Sequence, residues 1–229
     1  VLDGLFFITE KLFGIKIRKS PGESLWHEDV QFFELLNSDQ SIRGCFYLDL
    51  YARPHKRGGA WMSDCVGRRR LSDDVIQKPA AMLTCNFTPT VGGHPSLLTH
   101  DDVVTLFHEF GHGLHHLLTQ VDESSVAGIN GVPWDAVELP SQFLENWCWE
   151  TEALNKISGH FETGAPLPPD LLDRMRGARN FQSAMQMLRQ IEFSVFDMTL
   201  HDNQRIRAPE DIQNILDEVR NRVAVLEAP

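Results

Sequence analysis

The chain has 229 residues, of which 42% are hydrophobic and 23% are charged, enough apolar material for a sizeable folded core. Its 32 acidic and 21 basic residues give a formal net charge of −11. This balance argues against nucleic acids and anionic membranes as partners, because both require basic surface patches. No apolar run approaches the roughly 20 residues of a membrane span, and no secretory signal is present, so a cytoplasmic location is expected.

The first part of the chain predicts a helix and then a β-hairpin. Apolar residues recur at helical spacing from Leu2 to Phe13, and Gly14 can end that helix. A loop rich in charged and helix-breaking residues follows. Residues 30–36 and 42–50 predict two strands joined by a short turn. Residues 53–70 are basic and contain glycines, so they predict a loop that is either solvated or able to bind a peptide carboxylate.

Residues 80–87 predict one more strand, just before the most informative part of the chain. A free edge of this strand, around Cys85, Asn86 and Phe87, can pair with the backbone of an extended peptide. The alternative is that neighbouring strands cover both of its edges.

His108, Glu109 and His112 form an H-E-x-x-H motif. On a helix, positions i and i+4 lie one turn apart on the same face, so both imidazoles can bind a single zinc ion. Glu109 lies about 100° around the helix axis from His108, where a carboxylate can act as a general base on water. A chance motif on a surface helix is the alternative interpretation.

The residues around the motif predict a helix. Thr99 is a candidate N-cap, and Asp101 and Asp102 in the first turn suit the helix dipole. Gly111 inside the helix costs roughly 1 kcal/mol relative to alanine, a cost that close packing beside the site would explain. The apolar side of this helix consists of Val103, Phe107, Phe110, Leu114 and Leu117.

The third metal ligand has to come from outside the motif. A metzincin has glycine and histidine at positions 115 and 118, where this chain has His115 and Leu118, so that class is excluded. His115 is itself a geometric candidate, but a packed or hydrogen-bonded role is favoured because a fourth protein ligand would leave no position for water. A carboxylate on a following helix is the remaining common choice, and spacing does not choose between Glu138 and Glu145. The acidic candidates downstream are Asp122, Glu123, Asp135, Glu138, Glu145 and Glu150.

The rest of the chain predicts helices. Residues 135–157 predict the helix that carries the third ligand, with a kink or a helix start at Pro140. Residues 171–178 and 181–200 predict two more helices, and Pro209 suits the first turn of the last one. A core stripe is expected on the second of these helices, formed by Met185, Leu188, Ile191, Val195 and Met198. Core positions are also expected for Trp134, Trp147 and Trp149.

Several long segments resemble the thimet oligopeptidase and oligopeptidase A family of zinc metallopeptidases. The resemblance is carried by FHEFGHGLHH and GVPWDAVELPSQFLENWCWE, within residues 107–150. It continues in FYLDLYARPHKRGGAWM at 46–62, QKPAAMLTCNF at 77–87 and SGHFETGAPLP at 158–168. These segments span most of the chain, and their motifs are highly specific to the family.

The resemblance implies a site and a fold. It implies one Zn²⁺ per chain, bound by His108, His112 and Glu138, with Glu109 as the catalytic base. Glu145 and Asp135 are then candidates for groups that orient the ligands. The expected fold is mainly α with a small β-sheet (α+β), a zincin-like metallopeptidase core with an H-E-x-x-H helix. Residues 1–229 form a partial catalytic domain with a β-containing part at about 26–90, zinc-site helices at about 100–157 and C-terminal helices at about 167–226.

The expected function is a zinc-dependent metallo-oligopeptidase that hydrolyses short peptides with a zinc-activated water. The chain starts with valine, which predicts a fragment or a processed product. In the resembled family, a downstream segment with histidine and tyrosine assists the reaction, whereas the tyrosines here, Tyr47 and Tyr51, are upstream. One alternative is therefore a zinc-binding but catalytically incomplete fragment, and another is a peptide-binding module. The sequence assigns no oligomeric state.

Overall fold

The computed structural model describes residues 1–21, 25–202 and 208–226, and mixes helices with a β-sheet. The helices are α1 (Leu2–Phe13), α2 (His100–Leu118), α3 (Leu139–Glu145), α4 (Thr151–Ile157), α5 (Pro169–Arg179), α6 (Ser183–Asp202) and α7 (Pro209–Val223). The strands are β1 (Lys16–Ser20), β2 (Gln31–Leu36), β3 (Ile42–Tyr51), β4 (Trp61–Val66), β5 (Arg69–Ser72), β6 (Val75–Gln77) and β7 (Ala80–Phe87). Short 3₁₀ turns occur at Ser124–Val126 and Asn146–Trp149. Within the described ranges, no helix combines the length and the apolar character that crossing a bilayer would require.

Five strands form one sheet in the order β1-β2-β3-β7-β4. The β3–β7 pair is parallel and the other neighbours are antiparallel. The predicted helix at the start of the chain is confirmed, and Gly14 ends it with a left-handed φ of 64°. The predicted β2–β3 hairpin and the strand at residues 80–87 are also confirmed. The chain divides into two compact units, residues 1–167 and 168–229.

Strand β7 lies between β3 and β4, but the β4 ladder pairs only with residues 80–84, so the free edge around Cys85, Asn86 and Phe87 stays a prediction. The free edge on that side of the sheet belongs to β4. This strand and the first two residues of β5 fall within residues 53–70, which were predicted to be a loop. The basic and glycine residues before β4 and the arginines of β5 concealed these strands, because edge strands tolerate charged residues.

The core of the first unit lies between the sheet and α2. Phe46 on β3 stacks on Phe33 of β2, with ring centroids 5.2 Å apart. Phe110 of α2 meets the edge of Phe46 at 5.4 Å, and Phe6 of α1 closes the cluster. The five residues predicted to form the apolar side of α2 are all buried, so the opposite side of the helix is left for the motif. Because the apolar face of α2 packs on the sheet, the histidines on its other face point away from the sheet.

The single helix predicted at residues 135–157 is wrong. The chain instead forms α3, a 3₁₀ turn and α4, and Glu150 between them is extended. Pro140 lies in the first turn of α3, so the prediction of a helix start there is confirmed. Trp134 is 93% exposed, which contradicts its predicted core position, whereas Trp147 and Trp149 pack against the core.

The second unit contains α5, α6 and α7. Glu192 on α6 is buried and bonds to Arg189 at 2.7 Å and to Arg220 of α7 at 3.1 Å, which joins these two helices. The predicted core stripe of α6 is wrong, since Met185, Ile191 and Met198 are 37%, 40% and 68% exposed. In the described part of this unit α6 packs on α7, and the face that touches α7 is the one that carries Glu192. Residues 203–207 of the predicted C-terminal region lie outside the described residues.

Candidate metal centre

Helix α2 is fixed at its start by a capping box. The side chain of Thr99 accepts a hydrogen bond from the backbone N–H of Asp102 at 3.1 Å. The carboxylate of Asp102 accepts one in return from the N–H of Thr99 at 2.9 Å. The predicted N-cap is confirmed, and its reciprocal bonds set the first turn from which the motif residues follow.

Helix α3 packs closely against the motif at a glycine. A Cβ at Gly111 would lie 2.6 Å from Cα of Ser141 and 2.8 Å from the carbonyl oxygen of Pro140. Glu138 immediately precedes α3, and the Ser141 hydroxyl donates to its carboxylate at 3.0 Å. The glycine in the motif therefore allows the backbone that follows Glu138 to approach α2.

Three side chains converge in front of α2. Nε2 of His108 and Nε2 of His112 are 3.2 Å apart, and Oε2 of Glu138 is 3.1 Å from each of them. Ligands 2.0–2.1 Å from a tetrahedral zinc ion are separated by about 3.3–3.4 Å, the edge of the tetrahedron. The triangle of two nitrogens and one carboxylate oxygen matches one face of such a tetrahedron. The donor set therefore fits zinc and leaves a fourth position open.

The other ring nitrogen of His108 has its own partner. Its Nδ1 is 2.6 Å from Oε1 of Glu145. A carboxylate accepts, so Nδ1 carries the proton and Nε2 presents its lone pair to the other two groups. Burial lowers the pKa of His112, although Glu138 opposes this, and so favours the neutral imidazole that a metal binds.

Glu109 lies beside this triangle and points towards β4. Its side chain is buried, and the backbone of Met62 lies close enough to lower the pKa of its carboxyl group. Burial raises the pKa of Glu109 and the nearby Glu138 adds to the rise, against the opposing effect of His108 and Met62. A carboxylate in these surroundings accepts a proton more readily than one in water.

The remaining sequence candidates lie elsewhere. Asp135 is exposed, and within the described ranges no hydrogen bond or ion pair joins it to either histidine of the motif. His115 lies outside the triangle and faces an apolar cavity of about 700 Å³ that Leu114, Leu139 and Phe143 also line. Burial lowers the pKa of His115 and so favours its neutral form. Sequence reasoning did not identify the backbone of Met62 as a neighbour of Glu109. Met62 lies on an edge strand, and only the strand order in the folded sheet shows which strand is at the edge.

Comparison with known proteins gives the family. The sequence model of peptidase family M3 matches residues 1–229. The chain belongs to peptidase family M3. It is 56% identical to oligopeptidase A of Escherichia coli (strain K12) over 228 residues, which cover 100% of this chain and 34% of that protein. It is 55% identical to oligopeptidase A of Salmonella typhimurium, with 100% and 34% covered.

More distant members of family M3 match over the same region. The organellar oligopeptidase A of Arabidopsis thaliana is 43% identical over 231 residues, which cover 99% of this chain and 29% of that protein. The chain thus spans about a third of the length of the curated relatives it matches. The resemblance predicted from the motifs is confirmed at the level of the M3 oligopeptidase family.

Proposed function

We propose that this chain is the zinc-binding part of a metallo-oligopeptidase that hydrolyses peptide bonds in short peptides. His108, His112 and Glu138 hold one zinc ion, and the observation that carries this proposal is the triangle of their donor atoms, with sides of 3.1–3.2 Å. A zinc ion bound there supplies a Lewis acid that lowers the pKa of water and polarises the scissile carbonyl. Membership of a peptidase family supports the reaction class.

Glu109 is the general base in this proposal. It accepts a proton from the attacking water and donates it to the leaving amine. Its burial and its position next to His108 support that role. Glu145 positions His108 through the 2.6 Å contact with Nδ1, and Asp135 stays a candidate for orienting the site.

The free edge of β4 is the surface on which an extended peptide binds. Strand β4 pairs with β7 on one side only, and the backbone of its Met62 lies close to Glu109. An extended peptide added to this edge gains main-chain hydrogen bonds beside the general base, with little demand on side-chain identity. This arrangement supports extended peptides as the substrate class.

A second candidate is a zinc-binding chain that does not complete catalysis alone. It is favoured by the span of the chain, about a third of its relatives. The two tyrosines lie on β3, where Tyr47 packs against Phe32 and Trp26 and Tyr51 packs against the core. A hydrogen-bond donor to the developing oxyanion, which peptide hydrolysis requires, then comes from the remaining part of the enzyme.

One experiment separates the two candidates. Zinc is measured by elemental analysis, and cleavage of a quenched fluorescent oligopeptide is followed, for the chain, for Glu109→Gln and for Glu152→Gln. Glu152 is exposed on α4 and serves as the matched control. The peptidase is expected to bind one zinc in all three proteins and to lose roughly 10²–10⁴-fold in rate only in Glu109→Gln. Zinc without cleavage in any of them supports the second candidate, and absence of zinc contradicts the ligand assignment.

A further inference from the structure

The far end of β4 is attached to the metal-site helix by a buried histidine. His116 is 0% exposed and lies one turn beyond His112 on α2. Its Nε2 is 2.9 Å from the carbonyl oxygen of Val66, the last residue of β4. Because a carbonyl only accepts, Nε2 carries the ring proton and donates it. Glu109 of the same helix lies beside the other end of β4, close to the backbone of Met62.

The ladder between β4 and β7 is irregular just where this attachment occurs. The two strands pair in register from Trp61 to Ser63, but the register shifts before Val66. The shift takes Asp64 and Cys65 out of the regular ladder, and both residues are exposed. A bulge bends and loosens a strand locally, so this end of the edge depends on contacts other than the sheet.

A second attachment joins the segments that follow the strand and the helix. Asp122, after the end of α2, accepts from Nε of Arg68 at 2.8 Å and forms a shorter contact with Arg70. The backbone N–H of Arg70 also donates to the carbonyl oxygen of Asp122 at 3.0 Å. The Arg68 and Asp122 side chains are only 16% and 17% exposed, so solvent screens this pair less than a surface pair.

The loop that contains Gly128 packs closely against the ring of His116. Gly128 has a φ of +66°, and a Cβ there would lie 2.6 Å from Nδ1 of His116. In the described ranges Nδ1 is buried without a hydrogen-bond partner. Burying an unpaired ring nitrogen is unfavourable, and an apolar side chain would fill the same space without that cost. What the histidine adds is the bond to Val66.

We propose that His116 and the Asp122 bridge to Arg68 and Arg70 form a clamp that positions the far end of the β4 edge relative to the metal centre. The clamp is a positioning device: it sets how peptide residues remote from the scissile bond pair with residues 64–66. This inference rests on the proposed function, because it concerns the same peptide edge. It predicts that the clamp affects long peptides and spares short ones.

The test compares two quenched fluorescent peptides with the same central sequence. The short one reaches only Met62, and the long one carries four more residues at each end, enough at about 3.4 Å per residue to reach Val66. His116→Leu is expected to raise KM for the long peptide about 5- to 10-fold, the worth of one hydrogen bond, with kcat and the short peptide unchanged. His116→Gln keeps a donor and is expected to restore most of the loss.

The ion-pair half of the clamp has its own matched pair of variants. Arg68→Gln breaks the bridge to Asp122 and is expected to act on the long peptide alone. Arg18→Gln breaks an ion pair with Glu34 at the opposite edge of the sheet and is expected to change neither peptide. If His116→Leu fails to fold, the result for Arg68→Gln alone tests the clamp. Equal effects on both peptides, or no effect on either, overturn the clamp.

Hydrogen exchange provides a readout that does not depend on cleavage. The amides of residues 64–66 are expected to exchange faster in His116→Leu and Arg68→Gln than in the unchanged chain, while those of β2 and β3 keep their rates. If the unchanged chain cleaves neither peptide, the first candidate function fails, and the clamp is then tested by hydrogen exchange alone. Unchanged exchange at residues 64–66 in both variants overturns it.

Discussion

Replacing Gly111 with alanine sets two local effects against each other. Alanine in place of glycine within a helix gains up to about 1 kcal/mol from backbone propensity. The added Cβ, however, would lie 2.6 Å from Cα of Ser141 and 2.8 Å from the carbonyl oxygen of Pro140. Both obstacles are backbone atoms, so no side-chain rotation relieves the contact.

The size of the effect follows from those distances. Carbon atoms in contact are normally about 3.5–4.0 Å apart, so α3 has to retreat from α2 by roughly 1 Å. Glu138 immediately precedes α3 and moves with it, whereas metal–ligand distances tolerate only about ±0.2 Å. Zinc affinity is therefore expected to fall by at least about 10-fold. Overpacking of about 1–3 kcal/mol outweighs the propensity gain, so the free energy of unfolding also falls.

Gly113→Ala is the matched control on the same helix. A Cβ at Gly113 meets the side chain of Leu83 at 3.2 Å, and that side chain can adjust. Competition with a chromophoric chelator measures the Kd for zinc, and urea unfolding of the metal-free proteins measures stability. Gly113→Ala is expected to keep the Kd close to that of the unchanged chain. A Gly111→Ala protein that is at least as stable and binds zinc as tightly as the unchanged chain would refute the packing argument.

Three further predictions concern stability and reactivity. Burial alone raises the pKa of Asp49, but hydrogen bonds from its partners, Lys56 among them, outweigh burial and hold the pKa well below its ordinary value. The stabilisation is thus complete above about pH 4 and lost as pH falls through the folded pKa. Asp49→Asn leaves the buried Lys56 ammonium bonded to the backbone carbonyls of residues 49 and 51 but without a counter-charge. The substitution is expected to lower the free energy of unfolding at pH 7 by about 3–5 kcal/mol in urea titrations and to remove that pH dependence, and an unchanged titration would contradict this. Thr99→Ala removes the N-cap and is expected to cost about 1 kcal/mol in the same assay, whereas no loss would show that Asp102 alone caps α2. Exposed Cys65 is expected to react with a thiol reagent well before Cys85, whose pKa burial raises to about 12, and the reverse order would contradict the buried position of Cys85.

The elements that could be predicted are those whose cause is local in the sequence. Helix α1 follows from apolar spacing and a C-terminal glycine, and the β2–β3 hairpin from two apolar runs around a short turn. Strands β1 and β4 escaped prediction because they lie at the edges of the sheet, where charged and small residues are tolerated. The stripe on α6 was predicted from spacing alone, and spacing does not say whether another element covers it.

The sequence by itself determined the motif helix. Its cap at Thr99, its apolar side and the one-turn spacing of His108 and His112 all depend on neighbours along the chain. Only the tertiary structure decided which groups meet there. Spacing left Glu138 and Glu145 equivalent; the packing of α3 on Gly111 brings Glu138 to both histidines and Glu145 to the outer nitrogen of His108. Strand order likewise decided that β4 is the edge strand beside α2, because pairing in a sheet joins segments that are remote in sequence.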